Sequence, residues 1–421
     1  MNCRVKTLFW GLVLLSAIAL AEVKASDSTV LSSYPKLILG LMSSVGRWQP
    51  VNQATTDCKL TFSSPALSPE KCLLDKSWNI LDDFKSKLLF DFDISDHKKF
   101  QRLTFVAGSR YQIRTLLALQ PDQKRPLVIL RLGVHGNVDE FLAERFLLRM
   151  YYQDLGFHVL AIESTTSHGY LSINSEFSIG AVEEALQTLY VLKSIQAQQV
   201  SWTSQVTDIY LAGVSLSGAG ILLATYLDEN MQHQIKSTQL FCPLVQMEET
   251  FRYHFQTGIK TTALDFWNAR RLKELKNKNP KLDLDLWPML FDFKPRFVPV
   301  VFDWLNQTHS MPALNLEIFK KDFPDLKWPK EFVNHLENSK NWSQLNQIQK
   351  FYFQTRSPIA VNWTANDPLV VNSLNSDWLL SQKQQGKLTN FQMTELKGLH
   401  CAIAGEYQWP FLVEYFRRQL K

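Results

Sequence analysis

The sequence predicts an α/β protein with a mostly parallel central sheet and helices on both faces. Three observations predict it. Short apolar runs of strand length alternate with stretches whose apolar residues recur at helical spacing. One strand runs straight into a turn of small residues and then a helix, at Gly213–Gly218. Polar residues able to carry chemistry recur just past strand ends, where open α/β sheets place their sites.

Taken in order, residues 1–21 read as an export signal. Arg4 and Lys6 are the charged start, Leu8 to Leu20 is apolar, and Ala19-Leu20-Ala21 is a small-residue cleavage site. An uncleaved membrane anchor is the alternative, but the apolar run is short for a bilayer. The expected location is secreted or periplasmic. Residues 22–100 carry no motif and are expected to form an N-terminal extension. The first part of the sheet core spans 101–250. Leu103–Val106 and Tyr111–Ala118 read as a hairpin around Ala107-Gly108-Ser109. Leu127–Leu130, Phe157–Ile162, Ile209–Ala212 and Leu240–Cys242 read as further strands, and Val182, Leu186 and Leu189 as one face of a helix. Ala219, Leu222, Leu223 and Tyr226 mark the helix behind Gly213. Residues 251–355 break the rhythm and are rich in Trp, Phe and Pro, including Trp267, Trp287, Trp304 and Trp328. They are expected to form an inserted, mainly helical cap, with a separate domain as the alternative. The second part of the core, 356–421, holds strands at Ile359–Val361 and Phe391–Leu396 and a final helix from Phe411 to Leu420.

Composition narrows the function classes. With 45% hydrophobic and only 20% charged residues, the chain can bury a large core and is not a disordered coat for nucleic acid. The net charge of +5 falls to +3 once Arg4 and Lys6 are removed (5 − 2 = 3), so no nucleic acid partner is expected. Removing the leader also removes Cys3 and leaves four cysteines, an even number suited to an oxidising compartment. Cys58 and Cys72 are the expected disulfide. Cys242 and Cys401 are left open between a second bridge and two buried thiols. No Cys/His spacing suits zinc. Asn306, Asn341 and Asn362 match the N-glycosylation pattern, and Asn362 falls in an expected buried strand.

The strongest motif is Gly213-Val214-Ser215-Leu216-Ser217-Gly218, between a strand and a helix. A nucleophile on so sharp a turn needs small residues two places to either side. The turn lifts the Ser215 hydroxyl above the sheet and leaves the Leu216 N–H at a helix start, ready for a developing oxyanion. Ser217 is the rival nucleophile, since it too is flanked by small residues. This segment resembles the nucleophile elbow of the α/β-hydrolase family, with Ser217 where the family's last glycine stands. The resemblance runs from about Leu103 to the C-terminus, outside the cap. Gly133-Val134-His135-Gly136-Asn137 resembles the family's His-Gly oxyanion loop and implies the Asn137 N–H as second donor. An ordinary strand-end turn is the alternative, and His135 is then a loop histidine.

The resemblance implies that the acid follows the next-to-last strand and the base comes last. Asn366-Asp367-Pro368-Leu369-Val370 supplies Asp367, with an Asx turn as the bland alternative and Glu248 or Glu249 as fallback acids. Gly398-Leu399-His400-Cys401 supplies His400, in competition with His158, His168, His254 and His309. The implied activity is acyl-ester hydrolysis through a Ser215–His400–Asp367 triad on a small-molecule or lipid-like acyl substrate. A serine peptidase on the same fold and a non-catalytic binding protein on a hydrolase scaffold are the alternatives. The cap aromatics could line an apolar pocket or form the cap's own core. Arg270, Arg271, Lys273, Lys276 and Lys278 read as a solvated helix face, with weak contact to an anionic membrane surface as the alternative. No nucleotide, metal or flavin motif is present, so no cofactor is expected.

Overall fold

A computed structural model describes residues 100–420, apart from 109–110, 122, 135, 139–144, 175–178, 256–304, 308–311, 313, 366, 368, 397–399 and 402–408. The expected leader, the expected Cys58–Cys72 bridge, His135, His309, Trp304 and the basic run of 270–278 lie outside the described residues.

The strands are β1 (Phe100–Ala107), β2 (Tyr111–Ala118), β3 (Arg125–Arg131), β4 (His158–Ile162), β5 (Val206–Val214), β6 (Ile235–Phe241), β7 (Ile359–Thr364) and β8 (Phe391–Leu396). They form one eight-stranded sheet in the order β1-β2-β4-β3-β5-β6-β7-β8. Only β2 runs against the rest, being antiparallel to both β1 and β4. From β4 across to β8 every pairing is parallel. The β1–β2 turn bends at Gly108, whose φ is +56°. Every residue of β4 is buried, as in a strand covered on both faces.

The helices are α1 (Arg145–Arg149, continued by a π turn at Met150–Asp154), α2 (His168–Ile173), α3 (Ala181–Gln196), α4 (Gly218–Met231), α5 (Met247–Phe255), α6 (Leu316–Asp322), α7 (Lys330–Asn338), α8 (Trp342–Leu345), α9 (Gln349–Tyr352), α10 (Ser376–Gln384) and α11 (Trp409–Gln419). Alternate strand residues feed two cores. Leu127, Ile129, Leu160 and Leu211 pack with α3 and α4. Val128, Leu130, Val159 and Ala212 pack with Leu147, Tyr151, Tyr415 and Phe416 from α1, its π turn and α11. The period of two in a strand sends neighbours to opposite faces, so one apolar run serves both layers.

The described part of the 251–355 segment is helical. Its helices α6 to α9 lie against the α3–α4 layer. Phe319, Phe332, Leu336 and Phe351 join the same core as Leu189 and Tyr226. Trp342 Nε1 donates to the Ile179 carbonyl at 2.6 Å, and Tyr190 donates to Asp322 at 2.7 Å. Phe319, Phe332 and Phe351, with Trp328 stacked on Phe332 at 5.7 Å between ring centroids, are therefore core material, while Tyr253 and Phe353 are exposed.

Candidate active site

The row of strand ends from β3 to β8 builds the site. At the end of β5, Val214 pairs with Phe241 of β6, and Phe241 pairs with Asn362 of β7. The residues just past these pairs, Ser215 and Cys242, therefore stand side by side at the same edge.

Ser215 opens a single 3-10 turn, Ser215–Ser217, that leads into α4. Its φ is +52°, a left-handed conformation rare for serine and expected where a strand must reverse into a helix within one residue. The elbow is held from two sides. Ser215 accepts at its carbonyl from the Leu244 N–H at 2.9 Å. Gly218 faces Pro243 so closely that a Cβ on it would lie 2.4 Å from the Pro243 Cβ. Ser217 is wholly buried. Its hydroxyl accepts from the Val214 N–H at 3.1 Å and donates toward the carbonyls of Val214 at 2.9 Å and Arg131 at 3.0 Å. Ser217 thus fastens the elbow to β3.

The loop after β3 closes on the same point. A Cβ on Gly133 would lie 3.2 Å from the Val214 carbonyl oxygen and 3.3 Å from the Ser215 Cβ. Glycine is what lets this backbone come so near the serine. The Gly136 N–H donates to the Gly133 carbonyl at 2.9 Å, which makes the loop a tight turn and leaves Asn137 buried beside it. Leu216 is buried at the start of the helix.

Asp367 follows β7 and His400 follows β8. His400 Nδ1 lies 2.9 Å from each carboxylate oxygen of Asp367. Asp367 Oδ1 also accepts from the N–H groups of Leu369 and Val370, each at 2.8 Å, so the Asx turn and the histidine contact coexist on one side chain. Burial would raise the Asp367 pKa, yet the hydrogen bond and charge of His400 and the two backbone N–H groups outweigh it and bring it below the ordinary carboxylate value. The carboxylate side chain is 1% exposed and the imidazole 20%. Among the described residues the Ser215 hydroxyl is not hydrogen-bonded to His400; such bonds are often long before substrate arrives.

Cys401, next to His400, is paired in a disulfide with Cys242 at a Cα–Cα distance of 5.1 Å. The bridge ties the loop bearing His400 to the end of β6, the strand beside the elbow. Cys401 Sγ lies 3.5 Å from His400 Nε2. Cys242, His400 and Cys401 are also the one group of three metal-ligating residue types among the described residues whose donor atoms all lie within 4.8 Å of one another, with the two sulfurs bonded to each other.

The competing residues are placed elsewhere. His158 is buried in β4, where Nδ1 accepts from the Gln120 N–H at 3.0 Å and Nε2 faces the Gln205 carbonyl at 3.2 Å. Burial pushes its pKa down. Glu248 is engaged by Arg252 at 2.7 Å and Ser343 at 2.6 Å, and Glu249 is exposed. Asn362 is buried, donates to the Leu240 carbonyl and accepts from Tyr415. His168 begins α2 and His254 lies in α5.

Sequence reasoning passed over one feature. Arg131 ends β3 fully buried, one bond from the elbow through its carbonyl, and Nη2 donates to Gln187 at 2.9 Å. Burial lowers its pKa against the fields of Glu184, Tyr170, Glu183 and Glu163. Burial raises Glu184 from 4.5 to about 7, with Arg131 opposing and Glu183 adding to the rise. A charged residue closing an apolar strand was the available signal.

This strand order, with β2 alone reversed and a sharp serine turn after β5, is the α/β-hydrolase fold. No family model and no curated protein sequence matches the chain. Among solved structures it is similar to Est1E from Butyrivibrio proteoclasticus, at 15% identity over 76% of this chain and 98% of that one, with a TM-score of 0.43. It is similar to the esterase Pf2001 of Pyrococcus furiosus, at 10% identity over 82% and 97% of the two chains, with a TM-score of 0.44. It is also similar to the acylaminoacyl peptidase of Pyrococcus horikoshii, at 11% identity over 78% of this chain and 43% of that one, with a TM-score of 0.44. The fold assignment stands on the strand order and the elbow.

Proposed function

We propose that the protein is an exported serine hydrolase that cleaves acyl esters of small-molecule or lipid-like substrates, with Ser215 as nucleophile, His400 as base and Asp367 as the residue that orients it. The observation that carries the reading is the Asp367–His400 pair at 2.9 Å, in a loop bridged by Cys401–Cys242 to the strand beside the Ser215 elbow. With Nδ1–H given to Asp367, Nε2 keeps a lone pair and can take the Ser215 proton. The Ser215 oxygen then attacks the carbonyl carbon, and its charge passes to the carbonyl oxygen. The N–H groups of Leu216 and Asn137 are the proposed donors to that oxyanion, supported by the close approach of the Gly133 loop to Ser215. His400 returns the proton to the leaving alcohol, and water releases the acyl group by the same steps in reverse. The buried, fully engaged hydroxyl of Ser217 supports Ser215 over its rival.

Fluorophosphonate labelling tests the reading. The chain should be labelled, the labelled peptide should contain Ser215, and Ser215→Ala should remain unlabelled while folded. Absence of labelling of the folded wild-type chain, or labelling at Ser217, overturns it.

A further inference from the structure

The two cysteines beside His400 offer a second chemistry at the same place. We propose that, once its Cys242–Cys401 bridge is reduced, the protein binds one zinc-like soft divalent cation through Cys242, Cys401 and His400, and that the bound ion silences the site. Silencing rests on the proposed hydrolase reading; the binding itself does not.

The geometry argues for it in three ways. First, zinc bonds to thiolate sulfur at about 2.3 Å and to imidazole nitrogen at about 2.0–2.1 Å, so a tetrahedral angle puts S and N about 3.6 Å apart. Cys401 Sγ and His400 Nε2 are already 3.5 Å apart. Second, all three donor atoms lie within 4.8 Å of one another, so a modest parting of the sulfurs opens room for the ion. Third, the imidazole is prepared as a ligand. Metal-bound histidines usually give their other ring N–H to a carboxylate, which fixes the tautomer and raises the basicity of the ligating nitrogen. Asp367 holds His400 Nδ1 in that way. The lone pair on Nε2 that would accept a serine proton is the same lone pair that would bind the ion, so the two uses exclude each other.

The reductant is an external thiol. Two external thiols reduce the cystine to two cysteine thiols and leave as their own disulfide. The cation then displaces one proton from each cysteine thiol, so two protons are released per ion and the site is neutral overall. While the bridge is intact neither sulfur is a thiolate, and the oxidised protein has no such site.

Cobalt(II) serves as the probe because its bonds to thiolate absorb in the near ultraviolet. The full chain is titrated with cobalt, then zinc, in three states: oxidised wild type, reduced wild type and reduced Cys242→Ser. Cys3, Cys58 and Cys72 are present in both reduced proteins, so the difference between those two reports this site alone. The expected result is a thiolate–cobalt band with two protons released per ion in reduced wild type. Oxidised wild type should lack the band, and Cys242→Ser should show a weaker one. Zinc should displace cobalt, and Asp367→Asn should weaken zinc binding by about 10–100-fold. Equal binding by reduced wild type and reduced Cys242→Ser overturns the proposal. So does loss of fold on reduction, seen by circular dichroism, that zinc does not reverse. Ester hydrolysis with and without zinc is read separately, so a failure of the hydrolase reading leaves the binding result interpretable.

Discussion

Replacing Asp367 with asparagine should slow acyl transfer by about 10³–10⁴-fold while leaving the fold in place. Asp367 Oδ1 holds the N–H groups of Leu369 and Val370 at 2.8 Å, and an asparagine carbonyl oxygen can keep both bonds. The loop therefore survives, as it would not in Asp367→Ala. What asparagine cannot supply is the charge facing His400 Nδ1 at 2.9 Å. That charge keeps the Nδ1–H tautomer of His400 in the resting site and stabilises the imidazolium formed when His400 takes a proton. Two unit charges about 3 Å apart at an effective dielectric near 20 interact by about 5.5 kcal/mol. At about 1.4 kcal/mol per decade this is about 10⁴ in rate, the size seen when the triad aspartate of a serine protease becomes asparagine. The amide dipole retains part of it, which gives the lower bound. The assay is kcat/KM on a short activated ester, beside the rate of fluorophosphonate labelling and a thermal melt. A folded variant within tenfold of wild type in both rates refutes the role given to Asp367.

Three further outcomes follow from particular contacts. Ser217→Ala should still be labelled at Ser215, but should lose about 1–3 kcal/mol of stability in denaturant titration, because the Val214 N–H and two carbonyls lose their buried partner. Gly218→Ala should lower both activity and stability, the latter by about 1–3 kcal/mol, since its Cβ would fall 2.4 Å from the Pro243 Cβ and 2.6 Å from the Pro243 Cα and push the elbow off the β6 end. Glu184→Gln should stabilise the protein at pH 8 and not at pH 5. Burial raises the folded Glu184 pKa from 4.5 to about 7, so between those values the folded state holds more protons than the unfolded state and stability falls as pH rises. The glutamine removes that slope, worth about 3 kcal/mol at its full extent. Parallel melting curves of variant and wild type across pH 5–8 would refute it.

What the sequence shows of this fold follows from what is local. The strands around Leu127, Leu160 and Ile209 read as strands because each is a short apolar run between polar breaks. Their burial on both faces follows from the alternation of helix and strand. The signals at Asp367 and His400 are also local, since each residue sits in a short turn past a strand end. The 251–355 segment was harder. Its aromatics announce burial but not against what, and it takes the α3–α4 layer to show that Phe319, Phe332 and Phe351 complete the main core. Pairing of Cys242 with Cys401 was undecidable for the same reason: 159 residues separate them, and only the parallel register of β6, β7 and β8 brings their loops together.

The elbow is the sharpest case, because there a family pattern and the local physics part company. The pattern asks for glycine at position 217, and the chain has serine. The backbone there needs no glycine, since φ at Ser217 is −77°, within the ordinary helical range. The hydroxyl fills the space usefully, bonding to Val214 and to the Arg131 carbonyl and so fixing β5 to β3 at the point where the Gly133 loop departs. The position that tolerates no side chain is the next one, Gly218, where Pro243 stands in contact. A substitution that looks like a lapse in the motif thus moves the demand for glycine by one residue and turns the vacated place into a clamp. Ser217→Gly should for that reason weaken the protein despite restoring the motif. A Ser217→Gly chain as stable and as active as the wild type would show the clamp to be idle.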